Sequence, residues 1–146
     1  MIIMYTPDGG EPQRFDMRKL KTSEAQIVCR TTDMPWAQVK RGVLNDEPEP
    51  MRAVVWALLK REQPALRFGE FDPQVDELTS RFDAREVADY CTEIGKAGGS
   101  EDDIDGAYRD LARNAADPDE AEKFIADFRG AGPKEPAKSR TSKTGS

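Results

Sequence analysis

The sequence predicts a mainly α-helical fold. The predicted fold has three parts. Residues 1–80 form a compact helical domain with an N-terminal β-hairpin, residues 81–129 form acidic amphipathic helices, and residues 130–146 form a disordered basic tail. Three observations predict this arrangement. Apolar residues recur at helical spacing along residues 51–60 and imply a broad buried face. Half of the 28 acidic residues lie between residues 83 and 129. This region contains three amphipathic segments with narrower apolar faces, and acidic residues crowd the start of each. From residue 130 onward no hydrophobic residue is larger than alanine, which is typical of disorder.

The N-terminal hairpin is predicted from strand-forming residues on both sides of a turn. Residues 2–5 are β-prone, and residues 15–17 can pair with them across a turn that contains Gly9 and Gly10. Glycine accepts a positive φ without steric cost, which suits such a turn. Because Pro12 has no N–H group, we expect the second strand to lie at a sheet edge.

Two short helices are predicted after the hairpin. Ser23, with Gln26 three residues later, is typical of a capping box and predicts a helix that runs through about Arg30. Asp33 is expected to cap a second helix, with Pro35 in its first turn. This second helix places three apolar residues on one face, namely Trp36, Val39 and Val43.

The helix at residues 51–60 is expected to be the centre of the core, because its apolar face is the broadest in the chain. A further short helix is predicted from Asp72 to Leu78, with Val75 and Leu78 directed inward. The apolar face of the central helix comprises Met51, Val54, Val55, Leu58 and Leu59, with Trp56 on its flank.

The acidic region is predicted to contain three helices with narrow apolar stripes. Asp83 with Glu86 begins the first, Ser100 caps the second and Asp117 begins the third. Glycines at positions 95, 98 and 99 are expected to end the first of these helices. The residues predicted to point inward are Val87, Tyr90, Cys91 and Ile94, then Ile104, Tyr108, Leu111 and Ala112, and finally Ala121, Phe124, Ile125 and Phe128.

The residues suited to catalysis or metal binding are few, and we expect neither an enzyme nor a cofactor. The chain contains no histidine, the commonest general base and metal ligand. Cys29 and Cys91 lack the spacing of a zinc or redox motif, and Cys91 is better interpreted as a small buried residue than as a nucleophile. An acidic run from Glu101 to Gly106 resembles the start of a calcium loop, but Ala112 stands where the closing glutamate is required.

Charge and hydropathy argue against two classes of partner. The net charge of −6 disfavours nucleic acid, because phosphate contacts require clustered positive charge. No apolar run is long enough to span a membrane. The opening residues are too short and lack the basic leader of a signal peptide, so a reduced cytoplasmic setting is expected for the two cysteines.

Four aromatic residues are candidates for binding a protein partner: Trp36, Trp56, Phe68 and Phe71. For Trp36 and Trp56 the favoured interpretation is a core position, since a small domain gains several kcal/mol (about 2–3 per large side chain) from burying such residues. Phe68 and Phe71 flank a loop at Gly69, where exposure to a partner and burial are equally compatible with the sequence.

The order of these parts resembles a known family. A small hairpin, a short helix from Ser23, Met34-Pro35-Trp36, and an apolar Val-Trp-Ala-Leu helix that ends in Lys-Arg occur in that order over roughly residues 1–80. This pattern is similar to that of the tail assembly chaperones of long-tailed bacteriophages. The resemblance implies a protein of the host cytoplasm that binds the tape measure protein, keeps it soluble during tail tube assembly, and is absent from the mature virion.

The resemblance also implies the short product of a programmed −1 ribosomal frameshift. Gly132, Pro133 and Lys134 can be encoded by codons that contain a slippery heptamer, C-CCA-AAR, so these residues mark the candidate frameshift position. Contact with the tail tube protein and formation of a homo-oligomer remain open. Two alternatives also remain: a structural virion component such as a head–tail connector, and a cellular helical interaction module.

Overall fold

A computed structural model describes residues 1–131 as a mainly helical fold with a small antiparallel sheet near the N-terminus. Each of three short 3-10 turns lies in a connection between larger elements. The larger elements are β1 (Ile2–Tyr5), β2 (Gln13–Asp16), α1 (Thr22–Thr32), α2 (Trp36–Leu44), α3 (Pro48–Leu59), β3 (Leu78–Arg81), α4 (Ala84–Ala97), α5 (Glu101–Arg113) and α6 (Pro118–Ala131).

The sheet has the order β2-β1-β3, so the predicted hairpin is confirmed, with its second strand at Gln13–Asp16 instead of residues 15–17, and it is extended by a third strand. Ile2 pairs with Asp16 on one side and with Arg81 on the other. The prediction of a helix at residues 72–78 is wrong, because the chain makes only a 3-10 turn at Val75–Glu77 and then enters β3. Leu78 is buried as expected, whereas Val75 is exposed. The β3 strand forms because it pairs with the side of β1 that faces away from β2, a long-range partner that local sequence cannot reveal.

The starts of α1 and α2 differ from the sequence prediction. The helix α1 begins at Thr22, and the Glu24 carboxylate accepts a hydrogen bond of 2.8 Å from the Lys21 N–H group. Asp33 ends α1 with φ 54° instead of capping α2, since it occupies the left-handed conformation that terminates helices. Pro35 lies immediately before the first residue of α2.

The helix α3 is the centre of the main core, as predicted, but it begins at Pro48 instead of residue 51. Proline is well tolerated in the first helical turn, where its missing N–H group has no intrahelical acceptor. The helices α1 and α2 and the strands β1 and β3 all pack on α3, so its burial extends around most of its circumference. The buried members of this core are Ile3, Met17, Val28, Val39, Val43, Met51, Ala53, Val54, Val55, Trp56, Ala57, Phe71 and Leu78.

A second hydrophobic cluster holds α4, α5 and α6 together. The predicted caps at Asp83 and Ser100 are confirmed, and each side chain accepts a hydrogen bond from a backbone N–H group. The helix α4 continues past Gly95 and stops before Gly98, whose φ is 68°. The helix α6 extends through Ala131, so the first two residues of the predicted tail, 130 and 131, belong to this helix. The buried members of the cluster are Val87, Cys91, Tyr108, Leu111, Ala112, Ala115, Ala121 and Ile125.

Phe124 and Phe128, predicted to point inward, are exposed on α6. The second cluster is built from only three helices, and Ala121 and Ile125 already fill the contact of α6 with α4 and α5. The two phenylalanines lie at the edge of that contact, where no further helix covers them within residues 1–131. A thin apolar stripe on the sequence therefore overstates how much of α6 is buried.

The two clusters are joined at the end of β3. The predicted domain boundary between residues 80 and 81 falls inside this strand, with one hydrophobic cluster on each side of it. Phe82 forms a parallel bridge with Ala115, and Arg14 of β2 makes two contacts of 2.9 Å with the Asp117 carboxylate. Backbone pairing and an ion pair thus connect the acidic helices to the sheet.

An ion pair between Glu24 of α1 and Arg61 predicts that the stability of the fold decreases at acidic pH. The Arg61 guanidinium makes contacts of 2.5 and 2.8 Å with the two Glu24 oxygens, and this hydrogen bonding lowers the Glu24 pKa to about 2 from 4.5. Because the folded-state pKa is depressed, the stabilisation is present above about pH 4.5 and is lost as the pH falls toward 2. Glu24→Gln should therefore lower the midpoint of thermal unfolding at pH 7, and the difference from wild type should shrink at acidic pH.

Thermal unfolding followed by circular dichroism between pH 7 and pH 2 measures this difference. Glu62→Gln is the matched control, since Glu62 is exposed, lies next to Arg61 and forms no ion pair within residues 1–131. A destabilisation by Glu24→Gln that stays the same at every pH would contradict the assignment.

Candidate functional site

An open groove of about 1250 Å³ lies between α1, α2 and α4. Its floor is mainly apolar, and both helical walls present side chains toward the same space. The main apolar residues along it are Met17, Leu20, Ala25, Cys29, Trp36, Leu44 and Tyr90. A surface of this shape and composition is suited to binding an amphipathic segment of another protein.

The spacing along α2 explains why this helix contributes to both the core and the groove. Val39 and Val43 are fully buried against α3 and α1, which fixes the rotation of α2. Trp36 and Leu44 lie two helical turns apart on an adjacent stripe that faces the groove, with Lys40 between them. The valines therefore anchor the helix. On the adjacent stripe, Trp36 is half-buried and packs against the main core while it lines the groove, and Leu44 is exposed.

The opposite wall is the first half of α4. Tyr90 lines the groove and contacts Phe82, with ring centroids 4.8 Å apart. Val87 and Cys91 turn toward the second cluster, so α4 also divides its faces between a core and the groove. The groove thus lies where the two hydrophobic clusters meet.

The rim of the groove is rich in exposed cations. Five basic side chains line it, and none of them forms an ion pair within residues 1–131. On a chain whose net charge is −6, this rim is a local region of positive charge beside an apolar floor. The five residues are Arg18, Arg30, Lys40, Arg41 and Arg85.

Two of the three acidic residues along the groove are already engaged. The Met1 amino group donates to the Asp83 carboxylate at 2.7 Å and also pairs with Glu86. Burial of Asp83 opposes its ionisation, but the ammonium and the Glu86 N–H group outweigh that effect and hold the Asp83 pKa at about 2. Burial raises the pKa of Glu86. Asp89 is the third acidic residue, and it is exposed on α4.

Of the four aromatic residues proposed from the sequence, Trp36 alone lines the groove. Trp56 lies in the main core, where its indole N–H donates to the Leu66 carbonyl at 3.0 Å. Phe71 is buried with its ring against Tyr5 at a centroid distance of 5.3 Å. Trp56 and Phe71 therefore present almost no surface to a partner in this structure.

Phe68 is half-buried and is held from two sides. Its ring meets Trp56 edge-on at a centroid distance of 5.3 Å, and the Arg52 guanidinium lies 4.0 Å above it. Arg52 also donates to the Phe68 and Phe71 carbonyls, at 2.9 and 2.6 Å. The loop that carries both phenylalanines is thus fastened to α3, which explains why its aromatic residues serve the core.

Sequence reasoning missed Leu44, Tyr90 and the basic rim as parts of one surface. Tyr90 was predicted to be buried, yet it is 37% exposed. The spacing of Trp36, Lys40 and Leu44 was a usable signal, because Val39 and Val43 already define the buried face of α2. The contribution of α4 had no such signal, since it depends on how the second cluster packs against the first.

Three further sequence expectations concern a metal site, membrane-spanning segments and the frameshift position. Among residues 1–131, no group of three or more cysteine, aspartate or glutamate side chains is placed to hold a metal ion. Within the same part of the chain, none of the helices combines the length and apolarity needed to cross a bilayer. Gly132, Pro133 and Lys134, the candidate frameshift position, lie outside the described residues.

No protein-family model, curated protein or solved structure matches this chain.

Proposed function

We propose that this protein is a tail assembly chaperone of a long-tailed bacteriophage, which binds the tape measure protein and keeps it soluble while the tail tube assembles. The supporting observation is the open groove between α1, α2 and α4, with its apolar floor and its rim of exposed cations. The order of elements over residues 1–80 is the second support. We propose that the protein acts by binding, without catalysis, in the host cytoplasm.

The groove suits a client of helical character. An amphipathic helix places apolar side chains at i, i+3, i+4 and i+7, and these can occupy the floor around Trp36 and Leu44. Acidic residues beside the client's apolar stripe can pair with the rim, where Lys40 and Arg41 are free of ion pairs within the described residues. Such a contact covers exposed apolar surface of a long helical protein.

The balance of forces also suits transient binding. One helix in an open groove buries less surface than a permanent interface, so the client can dissociate when the tail tube takes its place. The net charge of −6 keeps the complex soluble while apolar segments remain bound. Contact with the tail tube protein is part of the same proposal, since the client passes from the chaperone to the tube.

Co-expression with the tape measure protein of the same phage tests the proposal. Wild type should move most of the client from the pellet to the soluble fraction. Leu44→Glu combined with Tyr90→Glu should abolish this effect, because both residues are exposed in the groove and each change adds a charge to its floor. The matched control is Val75→Glu, which changes an exposed apolar residue outside the groove. A client that stays insoluble with wild type would contradict the proposal.

The location of the protein after assembly provides an independent test. Mass spectrometry of purified virions should not detect the chain if it acts only during assembly. Stoichiometric amounts in mature particles would instead favour a structural virion component such as a head–tail connector.

A further inference from the structure

The exposed apolar surface of residues 1–131 is concentrated in two places. Five large hydrophobic side chains are exposed in this part of the chain, and Leu44 (44%) and Tyr90 (37%) lie in the groove. Phe124 (42%) and Phe128 (36%) lie one turn apart on α6, with ring centroids 6.3 Å apart. Val75 is the fifth and stands alone. Four of the five residues therefore form two patches, one in the groove and one on α6.

The two patches carry opposite charge. The groove is bordered by basic side chains that form no ion pair within residues 1–131. On α6, Glu120 lies one turn before Phe124 and Asp127 lies one turn before the end of the helix, on the same side as the phenylalanines. Lys123 lies beside both of these acidic residues, so the flank carries a net charge of −1. Both acidic residues are exposed and form no ion pair in the described part of the chain. The α6 patch is thus an apolar pair with an acidic flank, which matches an apolar floor with a basic rim.

The two patches cannot meet within one molecule. The helix α6 packs on α4 and α5 through Ala121 and Ile125, and none of its described residues lines the groove. We propose that α6 of one copy docks into the groove of a second copy, with Phe124 and Phe128 on the apolar floor. Glu120 and Asp127 of the docked helix then face the basic rim.

This contact is heterologous, because each copy uses its groove for one neighbour and its α6 for another. Head-to-tail contacts of this kind produce chains or rings instead of closed two-fold dimers. The neighbour's α6 also covers Trp36, Leu44 and Tyr90, which would otherwise favour aggregation. The inference does not depend on the proposed client, although a client helix in the same groove would compete with the neighbour.

Analytical ultracentrifugation of the full chain at increasing concentration tests the contact. The wild-type mass should rise beyond that of a dimer, and association should weaken about tenfold or more in high salt, because exposed charge pairs are screened. Phe124→Ser with Phe128→Ser should be monomeric. Glu120→Lys with Asp127→Lys should also be monomeric, and it tests the charge match without altering the apolar contact.

Mixing two defective variants gives the sharpest result. Leu44→Glu with Tyr90→Glu disables the groove and leaves α6 intact, whereas Phe124→Ser with Phe128→Ser does the reverse. Each variant alone should be monomeric, but a mixture should form a one-to-one dimer and nothing larger, since only one competent contact remains. A mixture that stays monomeric, or a groove variant that still self-associates, would overturn the proposal.

Further variants separate this contact from the proposed function. All the substitutions are at exposed residues, and circular dichroism with thermal unfolding verifies that each variant is folded. The α6 variants should retain client solubilisation in the co-expression experiment, because their groove is intact. A wild-type protein that is monomeric at its highest soluble concentration would overturn the self-association alone. Val75→Glu should self-associate like wild type, and loss of association in this control would also contradict the assignment.

Discussion

Replacing Trp56 with alanine should lower the free energy of unfolding by about 3–5 kcal/mol, the range measured when a large aromatic residue is removed from a core. The Trp56 side chain is 6% exposed and lies on α3, which is covered by α1, α2 and the sheet. Truncation removes the edge-on contact with Phe68 at 5.3 Å and leaves a cavity beneath the loop. It also removes the hydrogen bond of 3.0 Å to the Leu66 carbonyl.

Urea unfolding followed by circular dichroism measures this change. Trp56→Phe separates the two contributions, because it keeps much of the apolar volume but leaves the Leu66 carbonyl without its indole donor, at a cost of about 1 kcal/mol. Trp36→Ala is the matched control at the other tryptophan, which is half-buried in the groove, and it should cost clearly less. If Trp36→Ala proved the more destabilising of the two, the assignment of Trp56 to the core and Trp36 to the groove would be incorrect.

Local sequence signals predicted those parts of the fold that depend on neighbouring residues. Asp83 and Ser100 begin helices because their side chains satisfy N–H groups three residues later, and that spacing is visible in the sequence. The hairpin of β1 and β2 is also local. By contrast, β3 pairs with β1 across more than seventy residues, and the short apolar pattern that leads into it is compatible with either a helix, as predicted, or a strand.

The candidate site was only partly predictable for the same reason. The position of Trp36 on the face of α2 next to Val39 could be derived from helical spacing. Tyr90 belongs to a helix that follows β3, and its exposure depends on the packing of α4 against two clusters. Hydrophobicity alone therefore predicted burial at Tyr90, Phe124 and Phe128, which the helices of residues 1–131 leave exposed.

Replacing Gly42 with alanine should lower the free energy of unfolding by about 1–2 kcal/mol, although alanine is the better helix former by about 1 kcal/mol. Gly42 is buried in α2, and a Cβ atom there would lie 2.7 Å from Cγ of Pro50 and 3.0 Å from the Glu47 carboxylate. The Glu47 side chain can move away, but the Pro50 ring is rigid and is fully buried in the first turn of α3. The helices α2 and α3 would therefore have to separate.

Gly106→Ala should change the free energy of unfolding in the opposite direction. Gly106 lies within α5, and apart from its two chain neighbours and the backbone of its own helix turn no atom is within 4 Å of the position that a Cβ would occupy, so this change should raise the free energy of unfolding by about 0.5–1 kcal/mol. Urea unfolding of both variants measures the contrast. Stabilisation by both substitutions would mean that α2 and α3 pack less closely than described at Gly42. Destabilisation by both would instead contradict the helical assignment of α5. Opposite signs are expected because helix propensity is the same at both positions, whereas the space for a methyl group differs.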